Sequence, residues 1–436
     1  MKTRTMFHAS SALILALTVV TGCSSGKPSS DREGEAQIDS IGQEPITLTV
    51  FQEFTGITDE EFNRFIAEPV KKKFPQVTMQ LVRSSQGKTI ENMVSSGEFP
   101  DLIYASSFDT IRYTGLSLLA DLNANFKKYN FDLGKFEQSA INEVKLYADN
   151  GQFYMMPLFM NFASLYYNKD IFDKFAVPYP KDGMTWEEVL ELSRKITRSD
   201  NGQDYYALGF NGAPRLAVSF LLPVVDAKTN KALFTNSGTN SWKRFFELMK
   251  AFNDIPGNKL AGFAEFGKNR NVAMLASYGA RLGEFEDLHK KGTPLNWDMV
   301  TFPGRQEEPL VVETEVHGLM VTTASKHQDE AFKVAAWLTQ KEMQLEMAKY
   351  GKLTALKDPD VKQAFGANLE TLKGKNVQAI FKNKYGKNPP RAKYYDVAVP
   401  HMVQAIQDVY KGNTDINTAL RDAEEKANKA IQDQIK

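Results

Sequence analysis

Between residues 46 and 104 the chain switches repeatedly between two hydrophobic periods, and this alternation narrows its possible folds more than any other feature. Ile46-Thr-Leu-Thr-Val-Phe51 is a β-branched, aromatic-ended run of the kind that fits a half-buried pleated surface. Thr58 and Glu61 then stand at capping-box spacing, each placed to satisfy the other's free backbone N–H at a helix start. Phe62, Phe65, Ile66 and Val70 follow at helical spacing, which predicts an amphipathic helix to Lys73. Pro75 closes it, and Val77-Thr-Met-Gln-Leu-Val82 predicts a second strand. A further helix over Lys88–Ser96 leads through Gly97 and Pro100 into a third strand, Asp101-Leu-Ile-Tyr104. Strands joined by helices through short links build a parallel α/β sheet. Ligands of such sheets collect beyond the carboxyl ends of the strands.

Size and charge bound the rest. A chain of 436 residues, 42% hydrophobic, has material for more than one core, which excludes a disordered chain or a small stapled scaffold. Lys plus Arg and Asp plus Glu are both 53. Without a basic excess, nucleic acid is not an expected partner.

The first residues point to an extracytoplasmic destination. Lys2 and Arg4 precede an apolar stretch from Ala9 to Val20, too short to span a bilayer and ordered like a secretory signal. It ends in Val20-Thr-Gly-Cys23, which resembles the bacterial lipobox, and Cys23 is the single cysteine of the chain, so no intramolecular disulfide competes for it. Residues 1–22 are therefore expected to be a lipoprotein signal peptide and Cys23 the lipidation (palmitate and diacylglycerol) site. The paired acyl chains would hold the protein on the outer face of the cell membrane. From Ser24 to Pro45 the chain is polar and nearly free of bulky apolar residues. A tether spanning 23–45 reaches on the order of 25 Å. Loss of Lys2 and Arg4 with the leader leaves a net charge of about −2.

Motifs for chemistry are missing. There is no His-Glu-x-x-His, no Gly-x-Ser-x-Gly and no cysteine cluster, so neither a metal nor a nucleophilic triad is expected. Gly87-Lys88-Thr89 resembles the end of a P-loop, but the glycine required earlier is Val82. Arg198–Asp204 is rich in calcium-type ligands, yet the twelfth position of an EF-hand-like frame is Leu208; a plain turn is expected. No cofactor, metal or enzymatic activity follows from these residues.

Several ordered segments do carry a family resemblance. Gly97-Glu-Phe-Pro-Asp-Leu-Ile-Tyr104, then Gly151-Gln-Phe-Tyr-Met-Met-Pro157 with Leu165-Tyr-Tyr-Asn-Lys-Asp170, resemble segments of the bacterial extracellular solute-binding proteins, family 1. Pro180–Glu188, Phe266–Met274, Trp297–Pro303 and Gly412–Ala423 continue the series in the family's order. The resemblance implies a two-lobed periplasmic-binding-protein-like α/β fold, each lobe a sheet flanked by helices, joined by a multi-crossing hinge. The expected lobes are residues 46–158 plus 312–350 and residues 159–311 plus 351–436, with crossings at Leu158–Ala163, near Phe302–Val312 and near Gly351. It also implies a monomeric binding component of an ABC transporter that closes on a small solute, an oligosaccharide or sugar derivative, and docks on permease subunits. A non-sugar solute such as a peptide, a surface adhesin or sensor, and a glycan-acting enzyme are the alternatives.

Sugars are held by aromatic faces and by planar polar groups. Trp186, Trp297, Trp337 and Trp242 fall in framework positions, so the aromatic candidates are Phe54, Tyr104, Phe159, Tyr278, Tyr394 and Tyr395. The polar candidates sit at strand ends and crossings: Gln52, Glu53, Ser106, Ser107, Asn161, Asn211, Arg215 and Arg281. If Arg215 and Arg281 both face the cleft, an acidic sugar is expected, because a guanidinium takes a carboxylate in two bonds.

Overall fold

A computed structural model describes residues 38–435, apart from 54–55, 86, 149, 211–216, 237, 239–240 and 260. The leader, Cys23 and residues 24–37 lie outside the described residues, as do Phe54, Asn211 and Arg215. The tether expected to run to residue 45 ends earlier: Ile38 and Ile41 are buried in the first core, Asp39 pairs with Lys73, and Gln76 donates to the Ile41 carbonyl, because two isolated isoleucines in a polar stretch suffice to dock it.

The expected alternation is present. β1 (Ile46–Gln52) pairs in parallel with β2 (Val77–Arg83) and β3 (Leu102–Ser106). The link from β1 to β2 is a helix that starts at Asp59, is capped by the reciprocal Thr58–Glu61 pair and carries a π-type stretch at Asn63–Ala67. Thr89 caps the next helix, and Gly97, at φ 76°, ends it in the left-handed region that glycine enters without steric cost. Asp101 ties the corner: its carboxylate accepts from the Thr49 amide and hydroxyl and from Ser325 Oγ.

The sheet is mixed rather than wholly parallel. β4 (Met156–Met160) stays in it, and the chain crosses at Asn161–Phe162 into β5 (Ala163–Asn168), the first strand of a second sheet. That sheet gains β6 (Arg198–Asp200), β7 (Gln203–Phe210), β8 (Val272–Tyr278) and β9 (Trp297–Thr301), in the order β6-β7-β8-β5-β9. The chain returns through β10 (Val311–Val312) to β11 (Val316–Val321), which lies antiparallel between β3 and β4. β12 (Leu353–Thr354) then adds to β4 at the edge, so the first sheet reads β12-β4-β11-β3-β1-β2. The chain was expected to leave this lobe near Gly351. That glycine does break the preceding helix, at φ 81°, but a two-residue edge strand carries no periodic signal and the departure comes later. β13 (Lys384–Tyr385) pairs with β10 on the way to two long C-terminal helices, Tyr395–Tyr410 and Ile416–Ile435.

Packing follows the two-residue period of the strands. In β5, Ala163, Leu165 and Tyr167 enter one core with Trp186, Phe245, Phe246 and the C-terminal helices, while Tyr166 faces the other core with Phe285 and Trp297. Trp186 follows the Thr185–Glu188 capping box, is 1% exposed and donates Nε1 to Ser219 Oγ at 2.8 Å. It is a packing anchor, as its place in the motif suggested. Residues 198–204 form the β6–β7 hairpin, with Asn201 and Gly202 both at positive φ in the turn and Asp200 on Lys174. Among the described residues no helix is long and apolar enough to cross a membrane.

Candidate functional site

The carboxyl end of β3, the crossing after β4 and the return into β11 meet at one place, between the two sheets. There they line a cleft of about 580 Å³, within the range of small-molecule sites. A smaller annex of about 60 Å³, walled by Leu222, Pro223 and Trp242, shares Phe108, Glu313, Arg391 and Tyr395 with it.

The return strand supplies the most concentrated chemistry. Along Val312-Glu-Thr-Glu-Val-His317 burial alternates: Val312, Thr314 and Val316 point inward, and Glu313, Glu315 and His317 line the cleft. Ser106 Oγ donates to Glu315 Oε1 at 2.9 Å and Asn161 Nδ2 to Oε2 at 2.8 Å. His317 Nε2 lies 3.2 Å from Oε1, and the Asn161 backbone amide donates to the Glu315 carbonyl. Burial, with the side chain 15% exposed, works against the charge. His317 and the Asn161 and Ser106 bonds outweigh it and hold the Glu315 carboxyl at about 2. Tyr278 donates to Glu313 Oε1 at 2.7 Å.

A second layer lies beneath the cleft. Glu143, 3% exposed, accepts from Ser107 Oγ (3.1 Å), Tyr147 (3.0 Å) and Asn388 Nδ2 (2.8 Å). Asn388 also bonds Thr314 through both its amide oxygen and nitrogen, and the Val316 amide donates to Ser107 Oγ. One carboxyl thereby ties the end of β3 to the return strand and to the last crossing of the chain. Burial raises the Glu143 carboxyl to about 8 despite the donors around it.

The residues singled out from sequence divide accordingly. Ser106, Asn161, Tyr278, Arg281 and Tyr395 stand on the cleft wall, together with Phe159. Ser107, one position after Ser106, points beneath it onto Glu143. Gln52 is buried against Arg83, and Glu53 is held by Arg112, with burial raising its carboxyl. Tyr394 packs in the second core at 8% exposure and Tyr104 is wholly buried in the first. Side chains at strand ends alternate in direction, so half of a contiguous pair is turned away. Arg281 is at the cleft but engaged with Glu284 at 2.5 Å and set against the Phe263 ring. Glu313, Glu315, His317 and Arg391 were not anticipated. The alternating Glu-Thr-Glu-Val-His run was the available signal.

Two α/β sheets facing each other across a polar cleft, with the chain crossing three times at its base, define the class of two-lobed ligand-binding proteins. Residues 55–345 match the model of the bacterial extracellular solute-binding proteins, and the chain belongs to that family. Among its relatives, the melibiose/raffinose/stachyose-binding protein MelE of Bacillus subtilis is 23% identical over 258 residues. That match covers 57% of this chain and 55% of MelE. The multiple sugar-binding protein of Streptococcus mutans is 22% identical over 350 residues, 74% of this chain and 76% of the relative. An ABC substrate-binding protein of Listeria monocytogenes in complex with cycloalternan superposes with a TM-score of 0.73 at 18% identity, covering 89% of this chain and all of the other.

Proposed function

We propose that this protein is the substrate-binding component of an ABC importer for oligosaccharides, binding without chemistry and handing its ligand to permease subunits. The observation that carries the reading is the cleft itself. Its base draws hydrogen-bonding side chains from β3, from the first crossing and from the return strand, so a solute seated there touches both lobes and favours their closure. The names of the curated relatives, both sugar-binding proteins, support the ligand class. Sugar hydroxyls donate and accept at once, matching a wall of Glu313, Glu315, Asn161 and Tyr278 with aromatic surface at Phe159 and Tyr395.

In this reading the lobes divide at Asn161–Phe162, between Thr314 and Val316, and after β12. Cys23 carries the lipid that keeps the monomer on the outer membrane face, reached through the residues between Cys23 and Ile38, where the chain joins the first core. The test is a thermal shift of the purified protein with a panel of neutral and acidic oligosaccharides. A ligand at a hundred times its dissociation constant adds about 2.7 kcal/mol. A clear shift with one class supports the reading, and a folded protein that responds to none of the panel refutes it. Mass spectrometry of the membrane-fraction protein, with Cys23→Ala as control, tests the anchor.

A further inference from the structure

Arg391 occupies an unusual position in the cleft. It follows Asn388-Pro389-Pro390, a segment stiffened by two prolines and fixed at its start by Glu143 and Thr314. The guanidinium carbon lies 4.0 Å from the Phe108 ring centre and 4.2 Å from that of Tyr395. Phe108 comes from the segment after β3 and Tyr395 from the start of a C-terminal helix, so the stack joins the lobes. With two rings packed against the guanidinium, its hydrogen-bonding capacity lies in its own plane, at the N–H edges. Among the described residues none accepts a hydrogen bond from these edges and no carboxylate forms an ion pair with them.

Two other cations described at this wall are paired. Arg281 is neutralised by Glu284 and Lys352 by Glu61, at 2.5 and 2.6 Å. The carboxylates facing Arg391 across the cleft are Glu313 and Glu315. Burial disfavours the guanidinium charge, and both carboxylates act in the opposite sense.

We propose that Arg391 is the specificity-determining residue of this site, its edge donating to two adjacent hydroxyl oxygens of a neutral sugar ring, and that the site rejects uronate-bearing sugars. The inference rests on the oligosaccharide reading above and deepens it. A hydroxyl can accept from Arg391 and donate to Glu313 or Glu315. A ligand carboxylate can only accept, and on the side of Glu313 and Glu315 it would meet like charge where a hydroxyl donates. Of the two arginines from which an acidic ligand was expected, Arg281 is paired with Glu284 and Arg215 lies outside the described residues.

Isothermal titration calorimetry tests this with the neutral oligosaccharide that shifts the wild type most and with its counterpart oxidised to a terminal uronate. Loss of two charge-assisted hydrogen bonds in Arg391→Ala should weaken the neutral ligand by about 30-fold or more. Arg391→Lys should recover little of it, because a point charge neither stacks as a plane nor donates in two parallel bonds. The wild type should bind the uronate at least about tenfold more weakly, and Glu313→Gln should narrow that gap. Melting temperatures within a few degrees of wild type confirm that the variants are folded. Wild-type binding with Arg391→Ala within about threefold overturns the role of Arg391 and leaves the sugar reading standing. A uronate bound as tightly as the neutral sugar overturns the selectivity. Wild type that binds no member of the panel overturns both readings together.

Discussion

Replacing Glu143 with glutamine should remove a pH dependence of stability that originates under the hinge. The ordinary glutamate value is 4.5 and burial lifts Glu143 to about 8 in the folded protein. Between these values the folded state holds a proton that the unfolded chain has lost, so stability falls as pH rises. The contribution is complete below about 4.5 and gone once the pH passes about 8. At about 1.4 kcal/mol for each pH unit the whole interval is worth about 5 kcal/mol, and with 3% exposure there is little solvent screening to reduce it. The glutamine side chain stays neutral throughout, and its amide can replace the protonated carboxyl toward Ser107, Tyr147 and Asn388 at a loss of about 1 kcal/mol. Glu143→Gln should therefore be slightly less stable than wild type at pH 5 and more stable by roughly 3–4 kcal/mol at pH 9. Urea midpoints of both proteins at pH 5, 7 and 9 and fixed ionic strength measure the difference, in which the other titrating groups cancel. A wild-type-minus-variant difference that does not change with pH would refute the reasoning. One that grows in favour of wild type at high pH would mean the hinge needs an ionised Glu143.

Glu315 should behave in the opposite sense. Its carboxyl is held at about 2 rather than 4.5, so it contributes about 3 kcal/mol above pH 4.5 that disappears as the pH falls toward 2; acid unfolding of Glu315→Gln should lack this component, and identical acid limbs would count against it. Gly318 lies in the middle of β11, where an added Cβ would sit 2.3 Å from the Met156 carbonyl oxygen. Gly318→Ala should cost about 3 kcal/mol or more through displacement of β4, and a melting temperature within a degree or two of wild type would contradict that contact. Thr185→Ala removes the cap that accepts from the Glu188 amide and should cost about 1 kcal/mol, read as a small shift of the denaturation midpoint with unchanged ligand affinity. A loss of affinity would show that this helix start does more than fold.

The local architecture was legible because its causes are local. Thr58 with Glu61 and Thr185 with Glu188 satisfy free amides three residues away, so spacing alone reveals them. The β-branched runs at Ile46 and Val77 became strands because no other regular structure puts alternate side chains on one buried face. Trp186 was recognisable as an anchor from its place just inside a cap. The site resisted this treatment. Ser106 and Glu315 are 209 residues apart, and Asn161 and Glu315 are 154. No propensity or period links residues at such separations, and Arg391 has no signature that distinguishes it from a surface arginine until two rings close on it.

The sequence by itself thus determined the alternating α/β elements, the helix starts, the framework tryptophans and the membership in a binding-protein family, all of them carried by short-range patterns. Tertiary structure decided that Ser106 lines the cleft while Ser107 turns onto Glu143, that Arg281 is paired with Glu284 while Arg391 lies against two rings, and that burial raises the Glu143 carboxyl. Those outcomes depend on side-chain direction at strand ends and on charges brought together by crossings. The sheets must close before either exists.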